Sequence, residues 1–313
     1  MSGDKNTAKK AALEARRKRV NRLKKIIVIA MIIFLLLPSI LCITLWVKVC
    51  LLEKKLNQYM MKYSVEYAEN GNTENSTTIA AEVDAAVVEP TKLPKEEDQT
   101  KIKGKKVYLT FDDGPSLNTE EILDILAENN IKATFFVIGQ TDEHSKKMYQ
   151  RIYEEGHTLA MHSYTHQYQK IYKSVNAYKN DMKKLNDLLF NITGQRPRFI
   201  RFPGGSSNTV SGVGMDKIIR YTKKAGYVYF DWNVINGDAT GEELTDQQMI
   251  DNVISGVDLY ENSVVLMHDC AGKQQTVKTL PKIIKKLKNM DVTMLPINDT
   301  TTVVQHIKAE DVK

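Results

Sequence analysis

Short apolar runs alternate with longer stretches of helical periodicity between residues 105 and 310. The runs are rich in β-branched and aromatic residues and predict about seven strands, at 107–111, 133–137, 158–161, 199–201, 227–229, 263–267 and 293–295. Apolar positions at helical spacing predict helices at 119–130, 141–155, 175–193, 215–225, 246–257 and 276–289, with Thr119 and Thr245 as N-caps of two of them. This alternation predicts a parallel α/β sheet, either doubly wound or closed as a barrel.

Polar side chains follow five of the predicted strands at the point where each strand ends. They are Asp112 and Asp113, His162 and His166, Arg201, Asp231 and Trp232, and His268 and Asp269. Any one of these groups has an ordinary interpretation as a turn or cap. Because the carboxyl ends of parallel strands share one edge, five such groups predict one functional rim.

His162 and His166 are four residues apart, a spacing that brings two imidazoles together on a helical turn or a tight loop. Asp113 adds an anionic ligand, and two histidines with one carboxylate leave positions open for water and substrate. The set predicts one divalent metal ion. Zn²⁺ is the default, although Co²⁺, Ni²⁺ or Fe²⁺ suits the same ligands. The adjacent Asp112 stays free to take a proton.

Five motifs occur in order along the chain. They are TFDDGP at 110–115, HSYTH at 162–166, RFPGG at 201–205, DW at 231–232 and LMHD at 266–269. With these motifs the chain resembles the polysaccharide deacetylase family, the NodB-homology enzymes of carbohydrate esterase family 4, over residues 105–307. The resemblance implies a distorted (β/α) barrel.

The resemblance also implies a role for each motif residue. Asp113, His162 and His166 bind the metal, Asp112 is the general base, His268 is the general acid, Arg201 orients Asp112, and Asp231 partners His268. The family often has Tyr after the proline of the RFPGG motif, where this chain has Gly204. A backbone N–H at that position contributes to the oxyanion hole, which glycine still supplies, so the departure concerns substrate shape rather than activity.

Amide hydrolysis needs an activated water, a stabilised oxyanion and a proton for the leaving amine, and these residues supply all three. A carboxylate beside His268 would raise the pKa of that histidine and keep it cationic. We expect Trp232, Tyr164, Phe202 and Leu266 to form apolar walls of a sugar groove, with core packing at the rim as the alternative for each.

The N-terminal region has a different composition. Residues 1–25 hold ten Lys/Arg and two acids, a net charge of +8, so the rest of the chain sums to −2 because the whole chain is +6. This places the basic character in a tail and argues against nucleic-acid binding by the domain. Residues 26–47 carry no charge, which predicts a transmembrane helix at 26–49 behind a basic cytoplasmic tail at 1–25.

Residues 50–104 read as a stem and flexible linker. Apolar spacing near its start predicts a short helix, either without a partner or forming a weak dimer, and a polar stretch follows. The deacetylase-like domain at 105–310 would then lie outside the cell. A lone Cys270 in that domain excludes a disulfide framework within it. We therefore expect a single-pass protein of a bacterial cell membrane.

The sequence predicts a metal-dependent N-deacetylase that releases acetate from peptidoglycan N-acetylglucosamine. N-acetylmuramic acid, poly-N-acetylglucosamine and chitin oligomers are alternative substrates, and an O-acetyl xylan esterase would use the same machinery. A different class, an inactive surface glycan-binding protein, predicts damage to Asp112, His268 or the metal ligands, all of which are intact.

Overall fold

The computed structural model describes residues 97–312. The predicted cytoplasmic tail at 1–25, the predicted transmembrane helix at 26–49 and residues 50–96 of the predicted stem lie outside the described residues. Within residues 97–312, none of the helices combines the length and the apolarity needed to span a bilayer.

Residues 97–312 form eight strands and seven α-helices. The strands are β1 (Lys106–Asp112), β2 (Thr134–Ile138), β3 (Thr158–Ser163), β4 (Phe199–Ile200), β5 (Val228–Tyr229), β6 (Val234–Ile235), β7 (Asn262–His268) and β8 (Thr293–Met294). The helices are α1 (Thr119–Glu128), α2 (Glu143–Glu154), α3 (Tyr168–Ile171), α4 (Val175–Thr193), α5 (Met215–Lys224), α6 (Asp246–Asp258) and α7 (Gln274–Lys288). Every predicted strand and helix is present, and the sequence pattern missed the short β6 and α3 and a 3₁₀ turn at Gln99–Lys101.

All strand pairs are parallel, in the order β5-β4-β3-β2-β1-β7-β6. β7 pairs with β1 along the whole length of β1. On the other edge of β1, β8 pairs with its first residues and β2 with its last three. Among the strands of the described region, β5 and β6 stand at the two ends of the sheet, β5 paired with β4 and β6 with β7, and they do not pair with each other. The parallel α/β prediction is confirmed, with eight strands rather than about seven and a curled sheet that does not close.

The two faces of β1 point into different hydrophobic clusters. Val107, Leu109 and Phe111 belong to the larger cluster, in which helices cover the outside of the sheet. Tyr108 belongs to a smaller cluster within the curl, with Phe136, Ala160, Phe199, Phe230, Val264, Leu295 and Ile297. Because side chains alternate along a strand, Asp112 shares the inward face of Tyr108. The inner face of β1 therefore ends in a carboxylate.

The same alternation brings other polar side chains to this end of the sheet. His162 lies two residues after Ala160 on β3, and His268 lies four residues after Val264 on β7. Arg201 follows β4 and rests on the smaller cluster, its guanidinium carbon 4.2 Å from the centroid of the Phe136 ring.

Helix starts are fixed by local chemistry. Thr245 caps α6 with a reciprocal capping box to Gln248, as predicted. The N-cap of α1 is Asn118 rather than the predicted Thr119, whose hydroxyl donates to Asp269 instead. This hydrogen bond ties the start of α1 to the loop after β7, beside the polar end of the sheet.

Candidate active site and metal centre

Asp113, His162 and His166 bring three ligand atoms together. These atoms all lie within 4.8 Å of one another. Nε2 of His166 and Nε2 of His162 are 3.2 Å and 3.5 Å from Oδ1 of Asp113, and the two imidazole rings stack with their centroids 5.1 Å apart. The structure thus gathers the three residues predicted to be metal ligands.

The surroundings of these residues fit a divalent cation. Oδ1 of Asp113 is buried and has no hydrogen-bond partner within residues 97–312, a costly state that a cation would relieve. Burial, together with the neighbouring His162, lowers the pKa of His166, which favours the neutral imidazole that a ligand must be. Nδ1 of His162 donates to the carbonyl oxygen of Arg201 at 2.7 Å, leaving Nε2 for the metal.

Two of the three ligands have left-handed backbone. The φ angle is 71° at Asp113 and 50° at His166, values that non-glycine residues rarely adopt. Such conformations cost roughly 1–3 kcal/mol each and persist only where the surroundings hold them. The left-handed turn at Asp113 separates the carboxylates of two adjacent residues. Asp112 stays in the strand, and the carboxylate of Asp113 approaches the two histidines.

Asp112 is held by a fully buried arginine. Nη1 of Arg201 donates to Oδ1 of Asp112 at 2.8 Å and to Oγ1 of Thr110 at 2.7 Å. Nε and Nη2 of Arg201 donate to the carbonyl oxygens of Phe230 and Asp231. With Oδ1 engaged, Oδ2 of Asp112 is left for the cavity that this residue lines. The predicted orienting contact of Arg201 is therefore present.

The carboxylate beside His268 is Asp238. Nδ1 of His268 donates to Oδ1 of Asp238 at 2.7 Å, and the backbone N–H of His268 donates to Oδ2 at 2.8 Å. Burial on its own lowers the pKa of His268, but the hydrogen bond and charge of Asp238, with Asp112 and Asp113 nearby, raise it above its usual value. His268 is thus suited to donate a proton from Nε2.

The predicted pairing of Asp231 with His268 is wrong. The Asp231 carboxylate accepts hydrogen bonds from the N–H and hydroxyl of Ser206 and from the N–H of His306. It is fully buried and joins the loop after β4 to the chain near residue 306. Asp231 therefore supports the loop that carries Gly204 instead of tuning the histidine.

A cavity of about 350 Å³ opens over these groups. Asp112, Asp113, His162, His166, Tyr168, Gly204, Trp232, Ile235, Gly237, Asp238, Ala239, Thr240, Leu266 and His268 line it. The predicted positions of Gly204, Trp232 and Leu266 at this cavity are thus matched by the structure. Metal ligands, Asp112 and His268 face one space large enough for a substrate group.

Two of the predicted apolar walls are wrong. Phe202 is fully buried on the helix side of the sheet, with its ring centroid 4.8 Å from that of Tyr229. Since Arg201 points inward, its neighbour must point outward. Tyr164 packs over Gly139, the ammonium of Lys184 is 3.9 Å from its ring centroid, and the residue is not part of the cavity lining.

Tyr168, Ile235 and Asp238 were missed by the sequence reasoning, and they depend on the two short elements that the pattern did not reveal. Tyr168 begins α3, Ile235 ends β6, and Asp238 follows β6 by three residues. An apolar pair followed by Asn-Gly-Asp was the available signal for β6 and its acid. For Tyr168 the sequence held only its position two residues after His166.

Asp181 of α4 fixes the loop between the two histidines. Its carboxylate accepts from the hydroxyl of Ser163 at 2.7 Å, from the N–H of Tyr164 at 2.6 Å, and from the N–H and hydroxyl of Thr165 at 3.0 Å and 2.8 Å. These four hydrogen bonds hold the segment that turns into the left-handed His166. Asp181 is therefore a positioning residue for the metal centre.

Replacing Asp181 with Ala is expected to weaken metal affinity about 10- to 100-fold, the size typical of residues that orient ligands. The loop then loses the carboxylate that holds its donors, and His166 leaves its geometry more easily. Competition with a chromophoric chelator measures the affinity. Asp187→Ala, on the same helix, is the matched control because within residues 97–312 Asp187 pairs only with Lys183 and Arg196, both at the surface. Equal affinities in the two variants would contradict this role.

Comparison with known proteins gives one consistent family. A family profile described as polysaccharide deacetylase matches residues 99–230. A Bacillus subtilis protein named as a polysaccharide deacetylase, YheN, is 33% identical over 208 residues, which are 62% of this chain and 70% of the relative. A peptidoglycan-N-acetylglucosamine deacetylase of Bacillus cereus is 35% identical over 188 residues, 59% of this chain and 66% of the relative.

Solved structures agree with this comparison. The catalytic domain of peptidoglycan N-acetylglucosamine deacetylase from Eubacterium rectale matches with a TM-score of 0.62 and 39% identity. The match covers 66% of this chain and 94% of that domain. Sequence and fold therefore point to the same group of proteins.

Proposed function

The chain belongs to the polysaccharide deacetylase family, and on that premise we propose that it hydrolyses the acetamide of N-acetylglucosamine in peptidoglycan and releases acetate. The observation that carries the proposal is the arrangement of one cavity. Asp112, held by Arg201, and His268, held by Asp238, face it together with the three metal-binding side chains.

The chain supplies a base, an acid and a hydrogen-bond donor for this reaction. Oδ2 of Asp112 accepts a proton from the attacking water, while the Arg201 guanidinium keeps the carboxylate in place. Nε2 of His268 donates a proton to the departing amine nitrogen. The N–H of Gly204, which has no acceptor within residues 97–312, faces the oxygen on which negative charge develops.

Asp113, His162 and His166 would hold the cation, with Zn²⁺ as the proposed ion. When bound, a divalent cation supplies Lewis acidity that activates water and polarises the acetyl carbonyl. The donor set also suits Co²⁺, Ni²⁺ or Fe²⁺, which reconstitution would distinguish.

Peptidoglycan is the proposed polymer for two reasons, which are the names of the relatives and a proposed location of the chain beside the cell wall. Relatives from Bacillus cereus and Eubacterium rectale carry peptidoglycan N-acetylglucosamine deacetylase in their names. We further propose that residues 26–49 anchor the chain in a bacterial cell membrane, with the basic tail in the cytoplasm and the catalytic domain at 105–310 on the outer side. The uncharged run and the excess of Lys/Arg before it support this arrangement, which would place the enzyme next to the wall.

Acetate release from purified peptidoglycan by the full-length, metal-loaded chain tests the proposal, with chitin oligomers and acetylated xylan as competing substrates. We expect release from peptidoglycan. Release only from chitin oligomers or xylan would contradict the proposed substrate. Binding to peptidoglycan without release would contradict catalysis and favour a glycan-binding protein.

Removing the cation is expected to abolish acetate release and to lower the melting temperature. Metal at about 100 times its dissociation constant should then restore about 2.7 kcal/mol of stability by mass action. Calorimetry with and without a chelator measures this difference. Unchanged activity in the chelated protein, with metal content confirmed to be negligible, would contradict the metal centre.

A further inference from the structure

Tyr168 places a hydroxyl group at the cavity without a partner. The residue lies at the start of α3 and lines the cavity. Within residues 97–312 its hydroxyl forms no hydrogen bond, whereas that of Tyr172, one turn later, donates to the carbonyl oxygen of Pro203 at 2.9 Å. The Tyr168 hydroxyl is therefore available to a substrate.

This hydroxyl lies over Gly204. A Cβ atom placed on Gly204 would be 3.2 Å from Cε1 of Tyr168 and 3.3 Å from its hydroxyl oxygen. Gly204 also has a left-handed φ of 78°, which disfavours any side chain. The Tyr168 ring thus crowds the space that a side chain at position 204 would need. The Tyr168 hydroxyl therefore lies close to Gly204, whose N–H is a second donor, and both residues line the cavity.

The position of Tyr168 is fixed by its neighbours. Its ring packs edge-to-face against His166 and Tyr172, with centroid distances of 5.4 Å and 6.0 Å. Through its own hydroxyl, Tyr172 ties α3 to Pro203, the residue before Gly204. This hydrogen bond joins the end of α3 to the loop that carries Gly204, so both donors belong to segments that are fixed to each other. Donors held in this way lose little free energy to reorganisation during a reaction.

We propose that the Tyr168 hydroxyl donates a hydrogen bond to the acetyl oxygen of the substrate as negative charge develops on it, beside the N–H of Gly204. This assigns a further catalytic residue and rests on the proposed deacetylase function. The hydrogen bond strengthens as the carbonyl oxygen becomes an oxyanion, so it lowers the barrier more than it improves substrate binding.

Tyr168→Phe is the direct test, because the ring keeps its packing on His166 and Tyr172 and only the hydroxyl is lost. We expect kcat to fall about tenfold or more. KM, metal affinity and melting temperature should stay at their wild-type values. Tyr153→Phe is the matched control, since Tyr153 on α2 lies outside the cavity and its variant should match the wild type in all four measurements.

Each other outcome has a definite meaning. An unchanged kcat in Tyr168→Phe would overturn the assignment, as would a loss confined to KM, which would indicate an ordinary sugar contact. A weaker metal affinity would overturn it as well, because the effect would then act through His166. Absence of acetate release from the wild-type protein would reject the proposed function itself, and the assignment with it.

Discussion

Replacing Asp112 with Asn is expected to lower acetate release on the order of a thousandfold, within the range attributed to a general base. The amide cannot take a proton from water, although its oxygen can still accept from Arg201. Metal affinity should change little, because Asp112 lies outside the triangle of Asp113, His162 and His166. Single-turnover acetate release and chelator competition measure the two effects.

Asp113→Asn provides the contrast for this variant. It removes a negative ligand from the triangle, so metal affinity should fall together with activity. Excess metal should recover part of the activity of Asp113→Asn and none of that of Asp112→Asn. If excess metal rescued both variants alike, the division of roles between the two carboxylates would be wrong.

The metal centre could be predicted from sequence because its three side chains are on two compact motifs. His162 is the next-to-last residue of β3, and three residues separate it from His166. Asp113 directly follows β1, which is separated from β3 by β2 in the same parallel sheet. Since the carboxyl ends of parallel strands share an edge, the approach of these groups follows from the pattern alone. The short α3, which lies between His166 and α4, did not affect this prediction of the metal centre.

The partner of His268 could not be predicted in the same way. Asp231 and Asp238 are seven residues apart, and both follow short apolar runs near the strand ends. Which one reaches the histidine depends on β6, only two residues long, whose pairing with β7 carries the chain back over the cavity. Two residues give no periodicity to detect, so the pattern gave no sign of Asp238. The resemblance, carried by the DW motif at 231–232, named Asp231 instead.

The misassignment of Phe202 as a wall of the groove has a related cause. β4 also spans two residues, so the sequence does not reveal which face Phe202 occupies. Once Arg201 is known to point inward, alternation places Phe202 among the helices. Register is a property of paired strands and cannot be read from one short strand.

Replacing Asp238 with Asn is expected to reduce activity on the order of a hundredfold, the lower end of the range for general acid catalysis, and to move the alkaline limb of the pH profile to lower pH. His268 must be protonated to act as the acid, so activity falls as pH rises through the pKa of His268. Asp238 raises this pKa against the opposing effect of burial. Without its charge, His268 loses its proton at lower pH, and the limb shifts in that direction.

Asp231→Asn separates this result from a general loss of stability. Asp231 bonds to Ser206 and His306 rather than to His268, so its variant should melt at a lower temperature while its alkaline limb stays in place. In Asp238→Asn the limb should shift even at temperatures far below melting, because the change concerns a proton equilibrium. A limb that shifts in Asp231→Asn and stays in place in Asp238→Asn would restore the pairing predicted from the sequence.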